Sequence, residues 1–309
     1  MDAEGANPTP ACASGARAAV PSAPLEPRSA ATLAEAYDFC LRLVRSHYEN
    51  FTVASWLMPR AMRKHMHAIY AYARMADDFA DEEHDPVKLD EWKRELDLAY
   101  AGAPRHPVFV ALADTAHRFD IPRAPFADLL HAFRSDLDFG GFETIDDLLE
   151  YSRYSANPVG QLVLYLFGYR DVERQRLADK VCSGLQLANF WQDIALDLAK
   201  GRVYLPRQDM AQFGVSISDL RLHNIDSNFA ALMRHEVAFA RDLLVAGAAL
   251  ARMVDRRLSG DILMFAGGGL AILRAIERAD YDVFRHRPAL GKVDYLRLGW
   301  RALRGQLET

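Results

Sequence analysis

Two acidic clusters sit inside apolar, helix-periodic stretches of this chain. The first is Asp77-Asp78-Phe79-Ala80-Asp81, and the second runs Asn189-Phe190-Trp191-Gln192-Asp193-Ile194-Ala195-Leu196-Asp197. A lone carboxylate is costly to bury in such surroundings. Asp77/Asp81 and Asp193/Asp197 each recur at i, i+4, so each pair lies on one helical face, roughly 6 Å apart along the axis. Two such faces meeting across a cavity repel unless something cationic sits between them. A hard divalent ion answers that need, and Mg²⁺ typically binds through one or two carboxylates, retained waters and substrate phosphate oxygens. The pattern restricts the chain to helical folds that bring two acidic faces together, and it points to diphosphate chemistry.

The rest of the sequence agrees with a helical fold. From Thr32 onward a 3.6-residue apolar period dominates and strand signals are nearly absent. The period predicts helices at 32–46, 60–81, 86–101, 106–119, 124–138, 145–155, 158–168, 171–199, 226–257, 259–279 and 290–307. Pro59, Pro86, Pro107, Pro122, Pro125 and Pro158 fall at the boundaries and not inside the periodic stretches. Gly201 stands where a long 171–199 helix should end, and Arg202 to Pro206 reads as an extended loop. The expected architecture is all-α, with one domain over residues 31–309 and a disordered Ala/Pro/Ser-rich tail over residues 1–30. That tail has no apolar core of the kind a secretory signal requires.

Bulk properties exclude several function classes. The net charge is −5 and the basic residues are dispersed among acids, so no nucleic-acid partner is expected. Cys12, Cys40 and Cys182 are too scattered for a disulfide framework or a thiolate metal site, and they suit a reducing cytoplasm. No uninterrupted apolar run approaches the ~18 residues that suggest a spanning helix. The nearest, Ile262 to Ile276, is broken by Gly267-Gly268-Gly269 and by Arg274. A Gly-rich dinucleotide fingerprint is absent too.

Around the first cluster, Arg74 lies one turn before Asp77 on the same face, where a guanidinium restrains carboxylates and also forks onto phosphate. The same residues, Asp77 to Glu83, would also suit an acidic patch at a solvated helix end. In the second cluster Asn189, Asp193 and Asp197 form an i, i+4, i+8 ladder, and Gln186 extends it with an amide. Asp193 and Asp197 approach a helix C-terminus, where the macrodipole disfavours anions. Leu185, Leu187, Phe190 and Trp191 mark that helix as buried. Lys200 and Arg202 then place two cations just beyond the carboxylates, as a flap over a departing diphosphate or as plain C-terminal charge. The numerous aromatic residues, Tyr151 and Phe265 among them, suit core packing, or a pocket whose ring faces stabilise carbocations.

With these residues set out, the chain resembles the squalene/phytoene synthase family of head-to-head prenyl synthases. The likeness rests on Ala73 to Asp81, Gln186 to Asp193, Gly201 to Pro206 and the late Ala279-Asp280-Tyr281-Asp282-Val283-Phe284. It implies the all-helical isoprenoid synthase fold, with helices around a central apolar cavity, and an Mg²⁺ cluster holding the diphosphate of a prenyl diphosphate substrate. By position Asp77, Asp81, Asn189 and Asp193 look like metal ligands, with Asp197 adjoining them. Tyr70, Arg74, Gln186 and Tyr281 match positions that contact the substrate, and Lys200 and Arg202 would face the leaving group.

Two departures narrow the resemblance. Gln192 stands where many members carry Arg, and Tyr151 to Gly160 includes Asn157 in place of a small apolar stretch. With His47-Tyr48-Glu49-Asn50-Phe51, whose Tyr48 and Asn50 are candidate substrate contacts, the pattern is most similar to the hydroxysqualene synthase subgroup of the bacterial hopanoid pathway. That subgroup implies Mg²⁺ without NADPH, with Asn157 and Gln192 holding a water in an apolar cavity. It also implies a cytoplasmic enzyme, peripheral to the inner membrane, that touches a membrane surface transiently to release product. Other hopanoid-pathway enzymes are its expected partners. The rival readings are condensation of two prenyl diphosphates, to presqualene diphosphate, phytoene or dehydrosqualene, and a non-catalytic assembly factor.

Overall fold

The computed structural model describes residues 31–46, 59–285 and 287–307, so Tyr48, Asn50 and the N-terminal tail lie outside the described residues. No strand occurs among the described residues. The N-terminal half comprises α1 (Leu33–Ser46), α2 (Arg60–Asp81), α3 (Pro86–Tyr100), α4 (Pro107–Phe119), α5 (Ala124–Asp136), α6 (Ile145–Ser155) and α7 (Asn157–Leu166). The C-terminal half comprises α8 (Val172–Gln192), α9 (Ile194–Ala199), α10 (Arg207–Gln212), α11 (Ile217–Arg221), α12 (Ser227–Gly247), α13 (Arg256–Arg278) and α14 (Lys292–Leu303). A 3₁₀ turn over Ala248–Arg252 links α12 to α13.

Local chemistry explains the starts of these helices. Asp85 caps α3 by accepting from the backbone N–H groups of Val87 and Lys88, with Pro86 at the first helical position. Thr144 and Asp147 close a reciprocal capping box at the start of α6, and Asp171 caps α8. Three departures from the periodicity matter. The predicted 171–199 helix is two helices, broken at Asp193. The predicted 226–257 helix ends at Gly247 and tightens into the 3₁₀ turn. The segment after the extended loop contains α10 and α11, each too short for an apolar period to register.

Two large cores flank the site. One gathers α1 to α5 around Tyr72, Trp92, Phe109 and Phe126. The other gathers α8, α12 and α13 around Trp191, Phe229, Leu232 and Leu244. Helix α2 buries Met75, Ala76, Phe79 and Ala80 in the first core, and α8 buries Leu187, Ala188, Phe190 and Trp191 in the second. Each acidic helix thus turns its apolar face to its own core and leaves its carboxylates on the rim. Close approach of backbones sets α8. A Cβ on Gly184 would lie 2.8 Å from Leu244 Cγ, and one on Gly247 would lie 2.7 Å from the Val181 backbone nitrogen.

Helix α13 corrects one expectation. By length and composition it is long and apolar enough to cross a membrane, with a mean hydropathy of 1.4 over an 18-residue window. The run counted in the sequence missed it because scattered charges interrupt the apolar residues without lowering the average enough. Some 56% of that window is buried inside the fold, as suits a core helix.

Candidate active site

On α2, Arg74 ties the first cluster together. Its guanidinium bonds Asp77 at 2.8 Å, Asp78 at 2.5 Å and Glu82 at 2.8 Å. Tyr70 stands one turn earlier, and burial raises its pKa in the joint field of Arg74, Asp77 and Asp78. Burial also pushes Asp77 up to about 6, opposed by Arg74 and reinforced by Asp81, Asp78 and Asp136. The cluster is graded, with Asp77 and Asp78 half-buried and Glu82 and Glu83 exposed at the helix end.

The second cluster is bent. Helix α8 stops at Gln192, Asp193 adopts a non-helical φ of −105° and ψ of 13°, and α9 restarts at Ile194. The expected straight ladder of Asn189, Asp193 and Asp197 is therefore kinked, although the Asp193 and Asp197 backbone N–H groups still bond the carbonyls of Asn189 and Asp193. Asn189 is exposed and Gln186 half-buried. Burial pushes Asp197 up to about 6, helped by repulsion from Asp193 and Asp81 and opposed by Lys200 and Arg202. Lys200 itself is exposed on the turn before Gly201.

Arg202 brings the two clusters together. It follows the second cluster in sequence, yet its guanidinium bonds Asp81 of the first, at 2.9 Å and 3.4 Å to the two oxygens. Burial opposes the Arg202 charge, but the bond to Asp81 and the nearby acids hold its pKa above the usual value. Asp136, at the end of α5, joins the same field. Burial pushes it up to about 6, while the Tyr151 hydroxyl, donating at 2.9 Å, and Arg202 pull it down. Sequence reasoning missed Asp136, because a single acid at the end of an amphipathic helix carries no local signal.

The donor set suits a hard cation, since it consists of carboxylates and one amide, with burial and mutual repulsion holding Asp77, Asp136 and Asp197 up near 6. Arginines stand on Asp77, Asp81 and Asp193. Among the described residues no three His, Cys, Asp or Glu side chains converge tightly enough to hold an ion by themselves. An ion held here would have to complete its shell with water and phosphate oxygens, as Mg²⁺ commonly does.

Beneath Arg202 lies an aromatic group. Tyr204 stacks on Phe190 at 3.8 Å between ring centroids, and Phe139, Phe142 and Tyr151 pack around it. A cleft lined by Phe190, Asp197, Arg202 and Tyr204 has room for about one water. A long hydrocarbon needs far more, so the apolar chamber implied by the resemblance is not this cleft.

The remaining predicted residues divide. Asn157 is buried, and its carbonyl oxygen accepts from Ser183 Oγ at 2.9 Å. Gln192 is buried too, but its amide does not point at a free water site. Its Nε2 donates to the Pro288 carbonyl, and its Oε1 accepts from Arg287 at 3.3 Å. Tyr281 has its ring 5.3 Å from the Arg234 guanidinium. Arg287 was not foreseen, yet it forks onto Asp193 at 2.5 Å and 3.0 Å.

Comparison with known proteins places this geometry in context. A squalene/phytoene synthase family model matches residues 44–294. The solved squalene synthase HpnC from Alicyclobacillus acidocaldarius is 42% identical, with a TM-score of 0.79 over 81% of this chain and 95% of that one. A dehydrosqualene synthase solved with a ligand is 26% identical, with a TM-score of 0.80 over 87% of this chain and 96% of that one. A phytoene synthase of Mycobacterium tuberculosis is 33% identical over 258 residues, 80% of this chain and 85% of the relative.

Proposed function

Since the chain belongs to the squalene/phytoene synthase family, we propose that it converts presqualene diphosphate and water to hydroxysqualene and diphosphate. The coarser assignment is to isoprenoid biosynthesis and the prenyl diphosphate chemistry of head-to-head synthases. Arg202 on Asp81 is the observation that carries the reading, because it joins two acidic clusters far apart in sequence into one wall that calls for cations. The 42% identity to the HpnC squalene synthase, spanning 95% of that protein, favours the hydroxysqualene branch.

Asp77, Asp81, Asn189 and Asp193 would hold Mg²⁺, with Asp197 beside them. Bound there, the metal supplies positive charge to the departing diphosphate oxygens. The chain's own contribution is cationic and steric. As the carbon–oxygen bond breaks, its electron pair leaves with diphosphate, and Arg74, Lys200 and Arg202 stabilise that charge. Tyr70 and Tyr281 would position the substrate. The carbocation left behind would rearrange against aromatic ring faces lining the apolar chamber. Water then adds to the cation and loses a proton, which yields the alcohol without NADPH. Asn157, whose Oδ1 accepts from Ser183 Oγ, would hold that water through its amide N–H groups. The enzyme would work in the cytoplasm, at the periphery of the inner membrane, where a water-insoluble product can pass into lipid or to another hopanoid-pathway enzyme.

A second reading, condensation of two prenyl diphosphates as in phytoene synthases, is favoured by the 33% identity to the mycobacterial protein. A non-catalytic assembly role has no use for the retained carboxylates. Incubating the protein with Mg²⁺ and farnesyl, geranylgeranyl or presqualene diphosphate, followed by mass spectrometry, separates the three. An alcohol from presqualene diphosphate supports the first, a head-to-head hydrocarbon or presqualene diphosphate from the shorter substrates supports the second, and no product supports the third.

A further inference from the structure

After α13 the chain turns through Asp280 and Tyr281, both at positive φ, 50° and 65°. That region is unfavourable for a side chain as large as Tyr and persists where surrounding contacts enforce it. Here Tyr281 N–H bonds the Ile276 carbonyl and Val283 N–H bonds the Tyr281 carbonyl, each at 3.0 Å. Val283 is buried, and Phe284 packs on His223 and Phe229. The segment that follows is thereby launched across the end of α8, where it is fastened at two points. Gln192 Nε2 donates to the Pro288 carbonyl, and Arg287 donates to both oxygens of Asp193 and to Gln192 Oε1.

We infer that Arg287 is a positioning residue that stands in for a cation on Asp193 in the metal-free chain and transfers to the diphosphate when metal and diphosphate enter together. The inference rests on the metal–diphosphate reading above. A carboxylate that gives both oxygens to a guanidinium cannot give them freely to a divalent ion, so metal alone must displace Arg287. The Arg287 side chain is 51% exposed, and it can swing without stranding a buried charge. Its planar fork fits phosphate as well as carboxylate. The Gln192–Pro288 bond keeps the segment in reach while the guanidinium moves. Asp193 and the diphosphate thus share one arginine, and the two binding events are thermodynamically linked.

Two equilibrium measurements, neither requiring turnover, test this. Mn²⁺ binding is followed by electron paramagnetic resonance with the metal alone, and binding of inorganic diphosphate by calorimetry at saturating Mg²⁺. In Arg287→Gln, Mn²⁺ alone should bind several-fold tighter, because its competitor is gone, while diphosphate should bind about tenfold weaker. A residue that merely supports the fold would weaken both. Gln192→Leu, which frees the segment by cutting its other fastening, should move both affinities in the same directions. If Arg287→Gln leaves both affinities unchanged, or weakens Mn²⁺ binding, the inference is overturned and the functional reading survives. If wild-type protein binds no diphosphate in Mg²⁺, both fall together.

Discussion

Arg202 donates to both carboxylate oxygens of Asp81, at 2.9 Å and 3.4 Å, although 121 residues separate them in sequence. The bond couples the loop after the second acidic cluster to the helix that carries the first. Asp136 and Asp197 both sense Asp81 and Arg202, so acids from three helices share one electrostatic field. Such a site is stable only with cations in it, and arginines fill that role on Asp77, Asp81 and Asp193.

Neutralising either cluster should therefore separate activity from stability. Asp77→Asn and Asp193→Asn are each expected to abolish turnover while leaving thermal stability unchanged or raised. Asp77 is held near 6 by burial and by repulsion from Asp81, Asp78 and Asp136, so losing its charge relieves the fold. Near-normal turnover in both variants would remove the carboxylates from the mechanism.

Arg74 holds three acids with one guanidinium. Arg74→Lys keeps the charge and loses the fork, so turnover should fall at least tenfold with the fold intact. The circular dichroism spectrum and the rate, measured on one preparation, check this. Full activity in the lysine variant would limit the role of Arg74 to its charge.

Away from the site, Glu236 on α12 is 1% exposed. Burial raises its pKa to about 8, with repulsion from Asp209 and a hydrogen bond shared with it as further causes. The folded chain therefore holds a proton that the unfolded chain releases near the ordinary glutamate value of 4.5. Stability should fall as pH rises from about 4.5 to about 8, by up to ~1.4 kcal/mol per pH unit for one proton, and then level off. Glu236→Gln should abolish that slope and leave the variant more stable than wild type at pH 9 but not at pH 4.5. Melting temperatures at four pH values decide it, and an equal shift at every pH would contradict the assignment.

The close approach of α8 and α12 at Gly247 leaves no room for a methyl group, which would lie 2.7 Å from the Val181 backbone nitrogen. Gly247→Ala should cost about 1–3 kcal/mol or more by overpacking. Urea unfolding measures it. A neutral result would mean that α8 shifts easily, and with it the placement of Asp193.

Product choice should respond to the buried amide of Asn157. Asn157→Ala also strands the Ser183 hydroxyl that it accepts from, a loss of roughly 1 kcal/mol or more. Products should shift from alcohol toward rearranged or deprotonated hydrocarbons, with consumption of presqualene diphosphate less affected. An unchanged product ratio would relieve Asn157 of holding water.

The helical fold was legible because proline and capping residues mark helix boundaries, and because the apolar period of α2 and α8 is long. The acidic clusters were legible from their i, i+4 spacing, and the pairing of Arg74 with Asp77 from its place one turn earlier, whereas the reach of Arg202 to Asp81 was not. The break at Asp193 was not, since the period continues through it and only the cap geometry reveals the stop. Arg287 was invisible because no local pattern links it to Asp193, 94 residues earlier. The expectation for Gln192 failed in the same way. Its burial was foreseen, but its partners come from that same distant segment.

The most direct test of the central claim is to incubate purified protein with Mg²⁺ and presqualene diphosphate in ¹⁸O-enriched water and analyse the extract by mass spectrometry. The account predicts hydroxysqualene carrying the heavy oxygen, with one diphosphate released per alcohol. Recovery of unreacted presqualene diphosphate, together with phytoene or presqualene diphosphate made from shorter prenyl diphosphates, would contradict it.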